Sequence, residues 1–254
     1  SRDMRNDDLL AALKEYNSLP SNVERPDTKF SDVIGAEKAK EELQYFVKYL
    51  TNPKGFLKNG IKPPKGILLY GSPGTGKTML ARAMAGESDV TFLQTSATEF
   101  ESKYTGESEA NIRRIFEKAR KYAPSIIFID EIDAIGKKRT GSENTHHTES
   151  MLNALLTEMD GFSGADNNKP VFVLAATNYL ARGEKGENAS LDPALLRRFD
   201  NTIFVELPKE NEREQYILKI LGDRKITTVS KETVHSIAEK TGGQSLADIQ
   251  NMVE

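Results

Sequence analysis

One eight-residue stretch, Gly71-Ser72-Pro73-Gly74-Thr75-Gly76-Lys77-Thr78, narrows what this chain can fold into more than any other. It satisfies the pattern G-x-x-x-x-G-K-[ST] in full, behind the apolar run Ile67-Leu68-Leu69-Tyr70 and ahead of a helical pattern from Lys77 to Glu87. Glycines let successive backbone N–H groups converge on phosphate oxygens without Cβ clashes. The helix start adds unpaired donors and the positive end of a dipole. Lys77 is expected to reach the β- and γ-phosphates and the Thr78 hydroxyl to bind Mg²⁺. Nucleotide contacts are expected from Ser72, Pro73, Gly74, Thr75, Gly76, Lys77, Thr78 and Met79. The plain alternative, a glycine-rich turn without a ligand, lacks a reason for the strand–loop–helix context.

The rest of the pattern agrees with that context. Further apolar runs follow at Thr91–Leu93, Ile126–Ile129, Val171–Ala175 and Thr202–Val205, separated by helical stretches at Ser108–Tyr122, His147–Met159 and Pro193–Arg197. Continuous apolar runs without alternation suit strands buried on both faces of a parallel sheet. The fold class expected is therefore α/β, a three-layer P-loop core with a five-stranded parallel sheet. Beyond Pro208 only helices are expected, near Glu210–Leu221, Lys231–Lys240 and Ser245–Val253, as a small lid. We divide the chain into an N-terminal helix and linker (1–29), an α/β nucleotide-binding core (30–207) and a helical lid (208–254). The last helix runs to the end of the sequence, which suggests a piece of a longer protein.

The strand Ser125–Ile129 ends in Asp130-Glu131, delivering two carboxylates to the phosphate edge. Asp130 is expected to hold Mg²⁺ through water, and Glu131 to polarise the attacking water. Strand-end capping is the alternative for such a pair taken alone. Asn178 ends the following strand, where an uncharged amide can orient water without adding charge. A turn-forming Asn is the alternative there. A net charge of −3 and no basic stripe argue against a nucleic-acid partner. The chain lacks cysteine, so thiolate metal sites are excluded, and no apolar run approaches the roughly 20 residues of a membrane span.

Taken in order, these residues resemble the AAA family, and within it the ATPase domain of FtsH-type membrane proteases. The landmarks are Phe30–Gly35, the glycine-rich loop, Ile127–Asp133, Thr157–Phe162 and Leu191–Arg197. The resemblance implies an ATP-hydrolysing, Mg²⁺-dependent unfoldase that assembles with itself as a ring, usually of six subunits, in an ATP-containing, cytoplasm-facing compartment. It assigns Asp32, Ile34 and Gly35 to the adenine, with Ala247 of the lid. It places Lys103 and Tyr104 in a pore loop that grips a polypeptide substrate, against the alternative of a half-buried loop aromatic. It makes Asp160-Gly161-Phe162 an intersubunit signalling segment or, equally, a helix-ending turn.

Departures from the family accompany these. FtsH-type modules separate their arginines by a short Pro/Gly-containing stretch, whereas Arg197 and Arg198 are adjacent here, as in katanin-like branches. Either is expected to act as the finger from a neighbouring subunit; pairing with surface carboxylates is the alternative. Leu221 replaces a nucleotide-facing His and Leu246 a Gly, which predicts a greasier base pocket. The loop Tyr179–Ser190 is longer than usual. His146-His147 does not form His-Glu-x-x-His and reads as a solvated helix start, and Lys137-Lys138-Arg139 as a solvated loop. A membrane tether or adaptor domain outside this stretch is expected to set the cellular role. The competing functional reading is an ATP-binding scaffold with weak hydrolysis, because the arginine region is contracted.

Overall fold

The computed structural model describes residues 9–10, 22–100, 106–136, 145–161, 169–178 and 191–253, with side chains of the stretch 145–161 described from residue 148 onward. The expected N-terminal helix, apart from Leu9 and Leu10, lies outside these residues, as do Lys103, Tyr104, Lys137–Arg139, Phe162 and Tyr179–Ser190.

In chain order the described elements are β1 (Val23–Glu24), α1 (Glu37–Thr51), α2 (Pro53–Lys58), β2 (Gly66–Tyr70), α3 (Lys77–Ser88), β3 (Thr91–Ser96), α4 (Glu107–Lys121), β4 (Ser125–Asp130), α5 (Asp133–Gly136), α6 (Thr145–Asp160), β5 (Val171–Thr177), α7 (Pro193–Leu196), β6 (Asn201–Phe204), α8 (Glu210–Asp223), α9 (Lys231–Lys240) and α10 (Leu246–Val253), with 3₁₀ turns at Phe30–Asp32 and Ala97–Phe100.

Among the described residues the sheet runs β1-β3-β4-β5-β2-β6. Strands β3, β4, β5, β2 and β6 are mutually parallel, matching the five expected. Successive residues on each inner strand serve opposite faces, as the period of two requires. Leu68, Ile127, Ile129, Val173 and Ala175 enter the core under α4 and α6. Ile67, Leu69, Ile126, Phe128, Phe172, Leu174 and Ala176 enter the core under α1 and α3. Both faces are covered, so the strands read as unbroken apolar runs.

A sixth, antiparallel strand adds an edge to the five parallel strands expected, and it comes from the stretch before residue 30 that the sequence reads as linker. Val23 pairs with Leu93 and Glu24 with Phe92, antiparallel at the sheet edge. Two residues carry too little pattern to be read as a strand. What holds them is tertiary: Val23 is buried, and Glu24 forms a two-pronged ion pair with Arg82 of α3, one contact at 3.0 Å. This short antiparallel strand also covers part of β3's outer edge.

Helices α8, α9 and α10 share a separate apolar cluster of Ile217, Leu221, Val234, Ala238 and Ile249. Arg213 is buried among them at 6% exposure. Its guanidinium donates to Ala238 O (2.8 and 3.0 Å), Thr241 Oγ1 (3.1 Å) and Pro208 O (2.9 Å). These acceptors include the last carbonyls of α9, where a cation meets the negative dipole end, and the segment leading into the lid.

Candidate nucleotide site

Sheet order brings the proposed phosphate and acid residues together. Strand β5 lies between β2 and β4, with Leu69 level with Ala176 and Ile129 level with Ala175. The glycine-rich loop, Asn178 and Asp130-Glu131 therefore leave three neighbouring strands at one edge. This is where open parallel sheets bind ligands, beyond the carboxyl ends of their strands.

A cavity of about 440 Å³ opens there. Asp32, Ile34, Pro73, Gly74, Thr75, Gly76, Lys77, Thr78, Met79, Asp130, Glu131, Asn178 and Ala247 line it, all of them expected from the sequence. Two expected members do not: the Ser72 and Gly35 positions lie outside the lining. Ser72 instead turns its carbonyl inward to accept from Lys77 Nζ at 2.9 Å and from Thr75 Oγ1 at 2.9 Å. Gly35 sits against the Glu212 carboxylate of α8, at a φ of +78°.

The loop's shape comes from residues that a side chain would spoil. Gly74 and Gly76 adopt φ of +75° and +90°. A Cβ on Gly74 would stand 2.6 Å from Ala247 Cβ and 2.9 Å from Ser245 Oγ. The Ala247 N–H donates to Gly74 O at 3.3 Å, so the first turn of α10 rests directly on the phosphate loop. Lys77 is buried at the start of α3 and also donates to Gly71 O at 2.9 Å. Burial lowers its pKa, while the charge of Asp130 works the other way. An ammonium held by loop carbonyls is positioned to exchange them for phosphate oxygens.

On the acidic side, Asp130 accepts from the Glu131 N–H at 2.8 Å. Its pKa is raised, first by burial and then by Glu131 and Asp133, with that hydrogen bond and Lys77 opposing. Glu131 takes φ of +52°, which a non-glycine residue adopts at a cost and which recurs at working sites. The turn aims its carboxylate at the Oγ of Ser96 (3.0 Å), the last residue of β3, and at Thr98 Oγ1 (3.4 Å) in the 3₁₀ turn that follows. The following Ile132 N–H bonds Ala176 O at 3.0 Å, locking the turn to β5. Thr177 Oγ1 donates to Asp133 Oδ1 at 2.9 Å on the same edge.

The donor set fits a magnesium triphosphate. A hydroxyl (Thr78) and a carboxylate (Asp130) supply the hard oxygen ligands such a cation takes, and Lys77 with the loop amides supplies phosphate donors.

A family described as "ATPase family associated with various cellular activities (AAA)" matches residues 67–207. The chain belongs to the AAA family of ATPases. It is similar to the "ATP-dependent zinc metalloprotease FTSH 7, chloroplastic" of Oryza sativa subsp. japonica, 46% identical over 230 residues, covering 88% of this chain and 26% of that protein. It is 43% identical over 244 residues to the "ATP-dependent zinc metalloprotease FtsH" of Ureaplasma parvum, covering 95% of this chain and 32% of that one. The corresponding figures for "ATP-dependent zinc metalloprotease FtsH 3" of Sphaerobacter thermophilus are 44%, 231 residues, 90% and 45%. The chain thus spans less than half the length of these curated relatives.

Within this AAA module, the cavity also holds residues that the sequence did not reveal. Val33, Tyr216, Lys219 and Gln250 line it besides Leu246. Tyr216 OH donates to Gln250 Oε1 at 3.0 Å, and Lys219 Nζ to Asp32 O at 3.3 Å, tying α8 to α10 and to the segment before α1. Their signal was weak because a Tyr and a Lys on an amphipathic helix look like ordinary surface. Leu246 lines the cavity as expected, but Leu221 does not: it packs into the lid cluster with Ile217 and Val234, so only one of the two substitutions touches the pocket.

The adjacent arginines part company. Arg198 grips Asp160, at the end of α6, with Nε at 3.3 Å and Nη2 at 3.1 Å, and Lys65 Nζ approaches the same carboxylate at 3.8 Å. Arg197 is exposed and its Nε donates to Pro193 O at 3.2 Å. Neither lines the cavity of its own chain. Asp200 caps the start of β2, accepting from Lys65 N (2.7 Å) and Gly66 N (2.9 Å), and Phe199 is buried, so the whole segment is pinned between them. No described helix is long and apolar enough to cross a membrane.

Proposed function

We propose that this module hydrolyses ATP within a homo-oligomeric ring and uses the cycle to thread or remodel a polypeptide. The observation that carries the reading is the convergence of three neighbouring strand ends on one cavity, with a lysine, a hydroxyl, a carboxylate pair and an amide around it. Mg²⁺ held by Thr78 and, through water, by Asp130 would neutralise charge on the β- and γ-phosphates. Lys77 leaves the carbonyls of Gly71 and Ser72 for phosphate oxygens. Glu131, steadied by Ser96 and Thr98, accepts the proton of the attacking water, and Asn178 orients that water. Arg197, exposed at the surface, is the finger that reaches the adjoining copy's nucleotide; Arg198 positions it by anchoring α7 to Asp160. Tyr104, with Lys103, provides the ring's grip on the substrate, since an aromatic face presses on any extended chain. Similarity to ATP-dependent zinc metalloproteases supports coupling to proteolysis, with the peptidase in another part of the protein; a membrane tether or adaptor outside this stretch, and a cytoplasm-facing or other ATP-containing compartment, complete the reading.

Glu131→Gln tests the chemistry. It keeps the shape of the site, so ATP binding is expected to persist while turnover falls by at least about a hundredfold, the scale of a lost general base. Turnover that survives in this variant would remove Glu131 from the role of water activator.

A second reading, a nucleotide-gated scaffold with weak hydrolysis, draws on the engagement of Arg198 by Asp160, which leaves one fewer guanidinium for a neighbour. ATP turnover per subunit that rises with protein concentration supports the ring ATPase; turnover that stays negligible at every concentration supports the scaffold.

A further inference from the structure

Two helices of the lid carry matched pairs of ligand-type side chains on their solvent side. Glu210 and Glu214 stand one turn apart on α8, and His235 and Glu239 one turn apart on α9. Spacing of i,i+4 puts both members of each pair on one helix face. The apolar packing of Ile217 and Leu221 against Val234 and Ala238 brings these two faces alongside each other. The result is a convergence: ligand atoms of Glu210, His235 and Glu239 all lie within 4.8 Å of one another. Among the described residues this is the one group of His, Cys, Asp and Glu that converges in this way.

We propose that Glu210, His235 and Glu239 form a surface site for a zinc-class divalent cation that clips α8 to α9. The distances suit it. Bonds of about 2.1 Å in a tetrahedral zinc site put ligand atoms about 3.4 Å apart. His235 Nε2 and Glu239 Oε1 already stand 3.0 Å apart. Bringing in Glu210 from within 4.8 Å asks only for a rotamer adjustment of an exposed side chain at the first turn of α8.

A second feature points the same way. On the other side of the ring, His235 Nδ1 lies 3.3 Å from Glu214 Oε2. A ligating histidine characteristically donates its remote ring N–H to a carboxylate, which fixes the tautomer and strengthens the ligating nitrogen. With Nδ1–H directed at Glu214, a cation held by Nε2, Glu239 and Glu210 takes the place of the Nε2 proton that pairs with Glu239 in the metal-free protein. Three protein ligands leave a fourth position to water. A mixed imidazole–carboxylate set favours Zn²⁺, Co²⁺ or Ni²⁺ over Mg²⁺ or Ca²⁺, which take oxygen ligands.

The site is separate from the nucleotide pocket, but α8 joins them: Tyr216 and Lys219 of the same helix line that pocket. A cation bridging α8 and α9 holds the lid helix that supplies them.

The test uses nucleotide-free protein carrying His146→Ala and His147→Ala, because these and His235 are the chain's three histidines. Zn²⁺ titration followed by thermal melting, and Co²⁺ titration followed by visible d–d absorption, are compared with the same protein bearing His235→Ala or Glu214→Gln. The expected result is a Zn²⁺-dependent rise in melting temperature and tetrahedral Co²⁺ bands. Both vanish with His235→Ala, and affinity weakens about ten- to a hundredfold with Glu214→Gln, the usual cost of a lost orienting partner. Retained ATP binding shows that each variant is folded. Zn²⁺ bound equally with and without His235, or no binding by the parent, overturns the proposal.

Discussion

The contact between the lid and the phosphate loop allows a sharp prediction, because one methyl group should separate them. Gly74→Ala faces two costs. At φ of +75° an L-residue is strained by about 1–2 kcal/mol. The new Cβ also stands 2.6 Å from Ala247 Cβ and 2.9 Å from Ser245 Oγ, an overpacking worth about 1–3 kcal/mol if nothing moves. The serine can rotate away, whereas Ala247 is fixed to its helix. Against this, the lid is held to the loop at that point by the Ala247 N–H to Gly74 O bond of 3.3 Å, and such a bond contributes only about 0.5–1.5 kcal/mol. Moving the lid is therefore cheaper than keeping the clash, and α10 should retreat, taking Leu246, Ala247 and Gln250 away from the cavity.

ATP affinity is then expected to fall about ten- to a hundredfold, at 1.4 kcal/mol for each factor of ten. Titration with a fluorescent ATP analogue measures it, and thermal melting reports whether the protein remains folded. The decisive arm is Gly74→Ala combined with Ala247→Gly, which restores room for the methyl without relieving φ. The cycle should show a coupling of about 1–2 kcal/mol in favour of the double variant. If the double variant binds ATP no better than Gly74→Ala alone, the loss comes from the loop or its phosphates and the lid-contact reasoning fails. Wild-type affinity in Gly74→Ala would refute it outright.

Four further outcomes can be measured, the first three drawn from the same geometry and the last from the sequence. Arg213→Met leaves the acceptors at Ala238, Thr241 and Pro208 without their buried donor and should destabilise the lid by about 2–4 kcal/mol; hydrogen exchange in α8 and α9 measures this, and a change below about 0.5 kcal/mol would show that Arg213 is not the lid's tie. Arg197→Ala should abolish the concentration-dependent part of ATP turnover while leaving the melting temperature unchanged. Arg198→Ala, which removes a half-exposed pair with Asp160, should cost less than about 1 kcal/mol of stability and lower turnover only in part; complete loss would mean that Arg198 leaves Asp160 on assembly. Tyr104→Ala in the full-length protein should spare ATP hydrolysis and stop polypeptide processing, and unchanged processing would remove Tyr104 from the pore.

The phosphate end of the pocket was legible because its chemistry is local in sequence. Gly71–Thr78 contains its own glycines, lysine and hydroxyl, and the apolar run Ile126–Ile129 announces that Asp130 and Glu131 will emerge at a strand end. Those signals need no knowledge of the partner strands. Sheet order then converts two local motifs into one site, since the strand between them, β5, delivers Asn178 on the same edge. The edge strand Val23–Glu24 was not legible, because two residues hold their place through Arg82 and Leu93, which lie far along the chain.

The lid side of the pocket was missed for the same physical reason. Tyr216, Lys219 and Gln250 come from helices whose sequence pattern records only the apolar stripe packed inside the lid. Leu221 was misassigned to the pocket because its place in the chain cannot say which side of α8 meets the core, and its side chain goes to that stripe. The cavity is thus closed on one side by residues fixed in the sheet and on the other by residues fixed to the lid. Contacts joining the two halves among the described residues include the Ala247–Gly74 bond, the Lys219–Asp32 bond, and Glu212 against Gly35, each weak on its own. Each crosses from lid to core. An equilibrium for nucleotide that depends on all of them must depend on lid position, and any event that shifts α8, whether a cation at its first turn or loss of Arg213, acts on the pocket without touching a phosphate-binding residue.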